Sequence, residues 1–558
     1  MKLKGAEILV ESLIDQGVTD IFGYPGGAVL DIYDAIYKSS DRLNHVLVSH
    51  EQHAAHAADG YARSTGKVGV CVATSGPGAT NLVTGIATAM LDSIPMVAIT
   101  GNVGTKLVGK DSFQEVDITG ITLPITKHNY FVNDINDLED VVREAFKIAK
   151  SDRPGPVLID IPKDVQNAYA DFEPKGPSKA YDFIQPSEKR LKQAAEAIAE
   201  AKRPYIYIGG GVIAAGCEND VLELADKIDA VIGTSLMGIS AVPTDNPRFL
   251  GMEGMHGHFA SSVAQDDADC VIAIGVRFSD RATGDVKKFV KRAKVIHMDV
   301  DFAEINKNID ADIGVRGDLN ISVKQLADLV PQRIHPEWIK HVDELKRKGA
   351  AFEPQAVGVT PHKIMDVIND IREPESVVAT DVGQHQMWAA QFLKFQCPRT
   401  FATSGGLGTM GYGVGAAVGA AVGTRKPTVL ITGDGSFGMN LNEVVTAVTQ
   451  KLPLTIVIMN NQVLGMVRQW QTLFYEKRYS NTTLSSRSVD YVKLAEAFGA
   501  KGVVTTSVDA FRDAFDTAYH SNSVTLIDCR IDPDEFVLPM LPPGGAIDDI
   551  ICTKGDVE

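Results

Sequence analysis

"VLITGDGSFGMNLNEVVTAVTQKLPLTIVIMNN", residues 429–461, holds the pattern that decides the fold. A β-branched apolar run ends in a Gly-Asp-Gly turn, apolar residues at helical spacing follow, and Pro453 opens a second apolar run that stops on Asn460 and Asn461. Strand, tight turn, helix and strand in that order make a parallel α/β unit. Parallel sheets bind ligands beyond the carboxyl ends of their strands, where helix N-termini point, so Asp434 and Asn461 share one binding edge. A carboxylate and a carboxamide there, beside the backbone N–H groups of Gly433, Asp434, Gly435 and Ser436, suit a magnesium ion carrying a diphosphate. Magnesium takes few protein ligands and shares the rest with phosphate and water. The carbonyl of Val463 offers a third oxygen. A Gly-Asp-Gly turn with an unrelated asparagine is the plain alternative at this level.

Working outward, "VGVCVATSGPGATNLVTGIATAMLDSIPMVAITG" repeats the layout: Thr74 ends a strand and Pro95 opens the next, at the separation found between Thr432 and Pro453. We therefore expect two domains of one architecture, at 1–180 and 360–535, with Asp434 aligned to Gly76. Between them, "KRPYIYIGGGVIAAG", "DADCVIAIGVRFSDRATGD" and "AKVIHMDVD" predict a third α/β domain at 190–345. "FEPKGPSKAYDFIQPS" and "KRKGAAFEPQAVGVTP" read as linkers, and residues 536–558 as an extended arm. The fold class is thus α/β, three domains with parallel sheets flanked by helices, the first and third alike.

Composition narrows the function. A chain of 558 residues exceeds one core, and about three domains of roughly 150 to 200 residues is the natural division. The net charge of −17 is spread along the sequence and argues against a nucleic-acid surface. Six cysteines are scattered, several in apolar strands, without a C-x-x-C pair; reduced core thiols in a cytoplasmic protein are expected. The first residues lack the unbroken apolar stretch of a signal peptide. Residues 400 to 424 carry no charge and place Gly411, Gly415, Gly419 and Gly423 at G-x-x-x-G spacing. Being mostly Gly and Ala, they predict a tightly packed buried helix rather than a membrane span.

Other motifs compete. "GLGTMG", residues 406–411, fits the dinucleotide fingerprint, although the next acid after a strand, Asp434, opens a Gly-rich turn of its own. His50, His53 and His56 cluster, but Ala54 stands where H-E-x-x-H needs its second histidine. Glu51 is the sharper candidate, falling where the strand "HVLVS" gives way to a helix. A first-turn acid favoured by the helix dipole is its plain alternative.

"SHEQHAAHAADGYARSTG", "SGPGATNLVTGIATA", "RPGPVLIDIPKDV", "SGGLGTMGYG", "GDGSFGMN" and "IMNNQVLGMVRQWQ" together resemble the catalytic large subunit of the acetohydroxyacid synthase (acetolactate synthase) family, thiamin diphosphate-dependent enzymes. "FQEVDITGIT", "GMHGHF" and "GVRFSDR" narrow the likeness to that branch, and it covers nearly the whole chain in order. The resemblance implies thiamin diphosphate, Mg2+ and FAD as cofactors, pyruvate and 2-oxobutanoate as substrates, and 2-acetolactate or 2-aceto-2-hydroxybutanoate as products. It implies a homodimer or tetramer with an inter-subunit active site, and a small regulatory subunit as a further partner.

On the same likeness, Glu51 of one subunit activates the aminopyrimidine of a cofactor whose diphosphate is held by Asp434, Asn461 and Val463 of another. Met410, with Gly408, props the cofactor in its bent form. Arg281 binds the acceptor's carboxylate, Trp470 sizes its side chain, and Gln114 and Lys163 line the channel, with Phe113 as a wall. The flavin site is implied at Gly209, Gly210, Gly211, Thr234, Leu236, Met255, His256, Gly275, Arg277 and Asp299. In such synthases the flavin is a structural passenger. Two departures stand out: Ser279 replaces an Asp and is expected to alter how Arg277 and Arg281 are held, and Gly104 replaces a Pro and is expected to loosen the channel mouth. A flavin-reducing pyruvate oxidase and a non-catalytic cofactor-binding partner are the rival readings.

Overall fold

A computed structural model describes residues 1–178, 183–352, 358–487 and 489–556. Three six-stranded parallel sheets carry the chain, with a small antiparallel pair, Lys2–Lys4 with Tyr169–Asp171, bracketing the first. Their central strands, such as Gly69–Ala73, Cys270–Ile274 and Leu454–Asn460, are buried at every position. That is why they read as unbroken apolar runs: helices cover both faces of a parallel sheet.

The first and third sheets share one topology. Along the first the strands lie Asn44–Leu47, Asp20–Gly23, Gly69–Ala73, Met96–Asn102, Pro156–Pro162, His128–Phe131. Along the third they lie Phe401–Ala402, Val377–Thr380, Thr428–Gly433, Leu454–Asn460, Thr525–Arg530, Lys501–Thr505. Order of appearance gives 2-1-3-4-6-5 in both. The middle sheet follows 3-2-1-4-5-6, the order of dinucleotide-binding sheets.

The register corrects one sequence alignment. Gly69 pairs with Met96 and Thr428 with Leu454, so Asp434 occupies the place of Ser75, one residue before Gly76. The connection between the strands is one residue longer in the first sheet, which equal spacing of Thr and Pro had concealed. The second linker is also shorter than expected. Helix Pro336–Ala350 continues into it because Trp338, Val342 and Leu345 form one buried stripe. The parts of the two linkers at 179–182 and 353–357 lie outside the described residues.

The uncharged stretch becomes strand Phe401–Ala402, a loop, and helix Gly413–Thr424, buried at every position from Gly413 to Val422. It packs on helix Glu51–Thr65, and the glycines explain how closely. A Cβ on Gly419 would meet the Ala57 carbonyl oxygen at 1.8 Å, and one on Gly60 would meet that of Ala416 at 2.1 Å. Among the described residues no helix is long and apolar enough to cross a membrane. Among the described residues no disulfide joins the cysteines, and all but Cys397 are buried.

Candidate functional site

At the carboxyl edge of the third sheet, strand Thr428–Gly433 delivers Asp434 as the first residue of the one-turn helix Asp434–Phe437, and the adjacent strand Leu454–Asn460 delivers Asn461. Burial pushes the Asp434 carboxyl up from 3.8 to about 6, against backbone N–H groups of its own turn and of Gln462 that favour the ionised form. Asn461 is buried; its Oδ1 accepts from Val463 N at 3.1 Å and its Nδ2 faces Gln384 Oε1 at 3.4 Å. A Cβ on Gly435 would stand 2.6 Å from Leu464 Cδ2, so a side chain there requires Leu464 to shift. Among the described residues no group of three or more His, Cys, Asp or Glu could hold a metal by itself. A carboxylate and a carboxamide oxygen from adjacent strand ends are hard donors of the kind Mg2+ takes when phosphate and water supply its other ligands, and they are too few for a closed zinc cage.

Gln384 and His385 were not anticipated. They open helix Gln384–Phe392 after strand Val377–Thr380, next to the Asp434 strand. The His385 ring lies against Gly433 (2.9 Å from a Cβ placed there), and its Nε2 has no partner. Burial lowers its pKa to about 4, so it is neutral. The signal was present in "TDVGQHQMW", a strand end followed by a glycine and polar residues at a helix start.

The carboxyl edge of the first sheet gathers a second group. Glu51 is the first residue of helix Glu51–Thr65 and is 9% exposed; its Oε2 accepts from Asn81 Nδ2 at 2.9 Å. A Cβ on Gly78 would lie 3.1 Å from Glu51 Oε1, and one on Gly76 would collide with the Gln114 backbone. Gln114 itself has φ 58°, beside Phe113, which is 86% exposed. Lys163 follows strand Pro156–Pro162 and donates to the Gly27 carbonyl at 2.9 Å. Beside Gly104, Thr105 donates to Asp164 through both its N–H and its hydroxyl, at 3.0 and 2.6 Å. The histidine cluster is structural. His50 caps the helix, and His53 pairs with the buried Glu443 at 3.0 Å.

Arg281 and Trp470 meet although 189 residues separate them in sequence: the guanidinium carbon lies 5.8 Å from the ring centre, and Arg281 Nη1 is 3.6 Å from Met255 Sδ. A cavity of about 110 Å³ beside them is lined by Met255, Arg281, Leu541 and Pro542. The C-terminal segment forms its wall, fastened by Leu541 N to the Met255 carbonyl at 2.7 Å and by Gln391 Nε2 to the carbonyls of His256 and Leu538. Ser279 starts the short helix Asp280–Thr283, and Arg281 keeps only a loose pairing with Asp280 at 3.7 Å.

Met410 is half-buried in the loop before helix Gly413–Thr424. The loop's N–H groups are already engaged: Gly405 and Gly406 donate to Asp92, and Thr409 donates to Ser404 Oγ. Within "GLGTMG" the N–H groups of Gly406, Thr409 and Gly411 are thus committed to protein acceptors, which weakens the dinucleotide reading there. On the middle sheet, Gly209 caps and Gly210 and Gly211 open helix Gly210–Ala215 after strand Pro204–Ile208, and Gly275 follows strand Cys270–Ile274. Thr234 Oγ1 and His256 Nδ1 are buried without partners. Burial lowers His256 to about 4 and raises Asp299 to about 7. Arg277 reaches the loop at Gly406, and Leu236 stands within 3.5 Å of a Cβ on Gly405. Orphaned polar atoms on a sheet of dinucleotide order fit FAD.

Sequence families described as thiamine pyrophosphate enzyme, N-terminal TPP binding domain, central domain and C-terminal TPP binding domain match residues 3–121, 191–326 and 381–529. The probable acetolactate synthase large subunit of Methanocaldococcus jannaschii is 46% identical over 98% of this chain and 95% of its own length. The acetolactate synthase isozyme 2 large subunit of Escherichia coli is 45% identical over 98% and 99%, and the acetolactate synthase large subunit of Corynebacterium glutamicum 44% over 99% and 91%. The chain belongs to the acetolactate synthase large-subunit family of thiamine pyrophosphate enzymes. For a thiamine pyrophosphate enzyme the twin sheets have a plain meaning, since the two TPP binding domain matches each cover most of one of them and the cofactor is thiamin diphosphate.

Proposed function

We propose that the chain decarboxylates pyruvate and condenses the two-carbon unit with a second 2-oxo acid. Pyruvate as acceptor gives 2-acetolactate and 2-oxobutanoate gives 2-aceto-2-hydroxybutanoate, the first common step of branched-chain amino acid biosynthesis. The observation that carries this reading is the pair of complementary edges on sheets of one topology, Asp434 with Asn461 on one and Glu51 on the other. Bound thiamin diphosphate supplies the carbon nucleophile and the electron sink for decarboxylation.

Asp434, Asn461 and the Val463 carbonyl would hold Mg2+ and, through it, the diphosphate, with N–H groups from Gly433, Gly435 and Ser436. The Glu51 carboxyl, kept from bulk water and steadied by Asn81, would serve to hold or move a proton for the pyrimidine ring of bound thiamin diphosphate. Met410 and Gly408 would support the middle of bound thiamin diphosphate. Arg281 offers a planar fork to the acceptor carboxylate, and Trp470 bounds the space for its side chain. Gln114, Lys163 and Phe113 line the approach.

FAD on the middle sheet would serve as a structural element. We infer domains at 1–180, 190–345 and 360–535 with an arm at 536–558, a reading supported by one six-stranded parallel sheet in each of the three. Exposed Phe113, Leu123, Leu407 and Met439 call for a second copy of the chain that completes the site, giving a homodimer or tetramer. A small regulatory subunit and a cytoplasmic setting complete the proposal. The test is acetoin colour after acid decarboxylation of the product, from pyruvate with Mg2+, with and without thiamin diphosphate. Colour that requires the cofactor is expected. A folded, cofactor-loaded sample that gives none overturns the reading.

A further inference from the structure

Asp381 follows strand Val377–Thr380 and is fully buried at the edge that carries Asp434. Its Oδ1 accepts from the N–H of Gly411 at 2.9 Å, and from those of Tyr412 and Val382 at 3.2 Å each. Its Oδ2 accepts from Asn440 Nδ2 at 3.0 Å and from Thr432 Oγ1 at 3.3 Å. Five donors from three separate segments thus converge on one carboxylate, and none of them is a cation. Tyr412 is the N-cap of helix Gly413–Thr424, so the charge also faces the positive end of a helix dipole. The fit is close: a Cβ on Gly413 would stand 3.0 Å from Asp381 Oδ2.

The donors are the flanks of the site. Gly411 follows Met410, Thr432 lies two residues before Asp434, and Asn440 closes the turn that Asp434 opens. Ser436 Oγ adds a link by accepting from Gly411 N at 3.3 Å. A buried carboxylate without a counter-ion is a costly way to join loops, so its geometry must do more than fill space.

We infer that Asp381 is a positioning residue that locks the Met410 loop to the Asp434 turn, fixing the support for the cofactor's middle relative to the grip on its diphosphate. This rests on the thiamin diphosphate site described above. Asp381→Asn keeps the shape but presents an N–H group where donors converge, so at least one donor is turned away.

The test measures thiamin diphosphate binding in the presence of Mg2+ by calorimetry, together with amide hydrogen exchange in the cofactor-free protein. For D381N the dissociation constant should rise on the order of 10- to 100-fold, as for other outer-shell groups. Exchange at Gly411 and Tyr412 should quicken while strand Thr428–Gly433 stays protected. Asn440→Leu removes a single donor, because Asn440 Oδ1 has no partner, and should weaken binding less in the same direction. If D381N fails to fold, N440L alone decides: unchanged affinity and unchanged exchange at Gly411 overturn the inference. Equal affinity of D381N and the unmodified chain overturns it and leaves the proposed function standing. An unmodified chain that binds no thiamin diphosphate overturns both.

Discussion

Glu51 lies at a helix start with one oxygen on Asn81, so Glu51→Gln keeps the contact geometry and removes the exchangeable carboxyl proton. Cofactor affinity should change little while turnover falls by about 100-fold or more; calorimetry beside the acetoin assay checks both halves. Asp434 predicts a pH dependence. Its carboxyl is raised from 3.8 to about 6 by burial, so between those values the metal-free fold holds a proton that the unfolded chain has released. That window carries a stability cost to the metal-free fold that builds as pH rises through it. Conversely, Mg2+ must displace this proton below about 6, and its affinity should fall by about tenfold per unit there. Titrating Mg2+ with thiamin diphosphate at pH 8, 6 and 5 should show this, and Asp434→Asn should bind weakly with no step. Asp434, Asn461 and Glu51 were legible because a strand end followed by a turn announces the binding edge. Asp381 and His385 stand at a strand end of the same kind, in "TDVGQHQMW", but the donors and the glycine that give them a role come from segments only the folded chain brings close, and Asn81 carries no such mark at all.

Helix Gly413–Thr424 shows what an element's pattern reveals and conceals. Its lack of charge and its glycine spacing announced close packing, and the structure supplies the partner, helix Glu51–Thr65. Gly419→Ala would drive a methyl into the Ala57 carbonyl, a backbone atom with little freedom to yield. A loss of about 1–3 kcal/mol or more is expected, read from the denaturant midpoint of the cofactor-free protein. Strands with long apolar runs were readable, whereas the edge strand Phe401–Ala402 and the short Val231–Thr234 and Ile313–Arg316 were not. Two to four residues carry too little periodicity to separate a strand from a loop. The one-residue offset between Ser75 and Gly76 is a related failure, since connection length leaves no mark on apolar spacing.

On the scale of the molecule, the likeness of the first and third domains was readable from a repeated layout, but their common strand order was not. Order is decided by which faces dock, and that depends on long-range contacts. If Glu51 and Asp434 of one chain serve different sites, two inactive variants should rescue each other. Glu51→Gln and Asp434→Ala, mixed under subunit exchange, should regain up to about a quarter of full activity, because a mixed dimer keeps one intact site; no recovery despite confirmed exchange would place both groups in one chain's site. The C-terminal segment joins this picture by threading between Gln384, Gln469 and Met255. Where Gly60 and Gly419 press main chain against main chain, the two layers have no slack to swing apart like a clamshell.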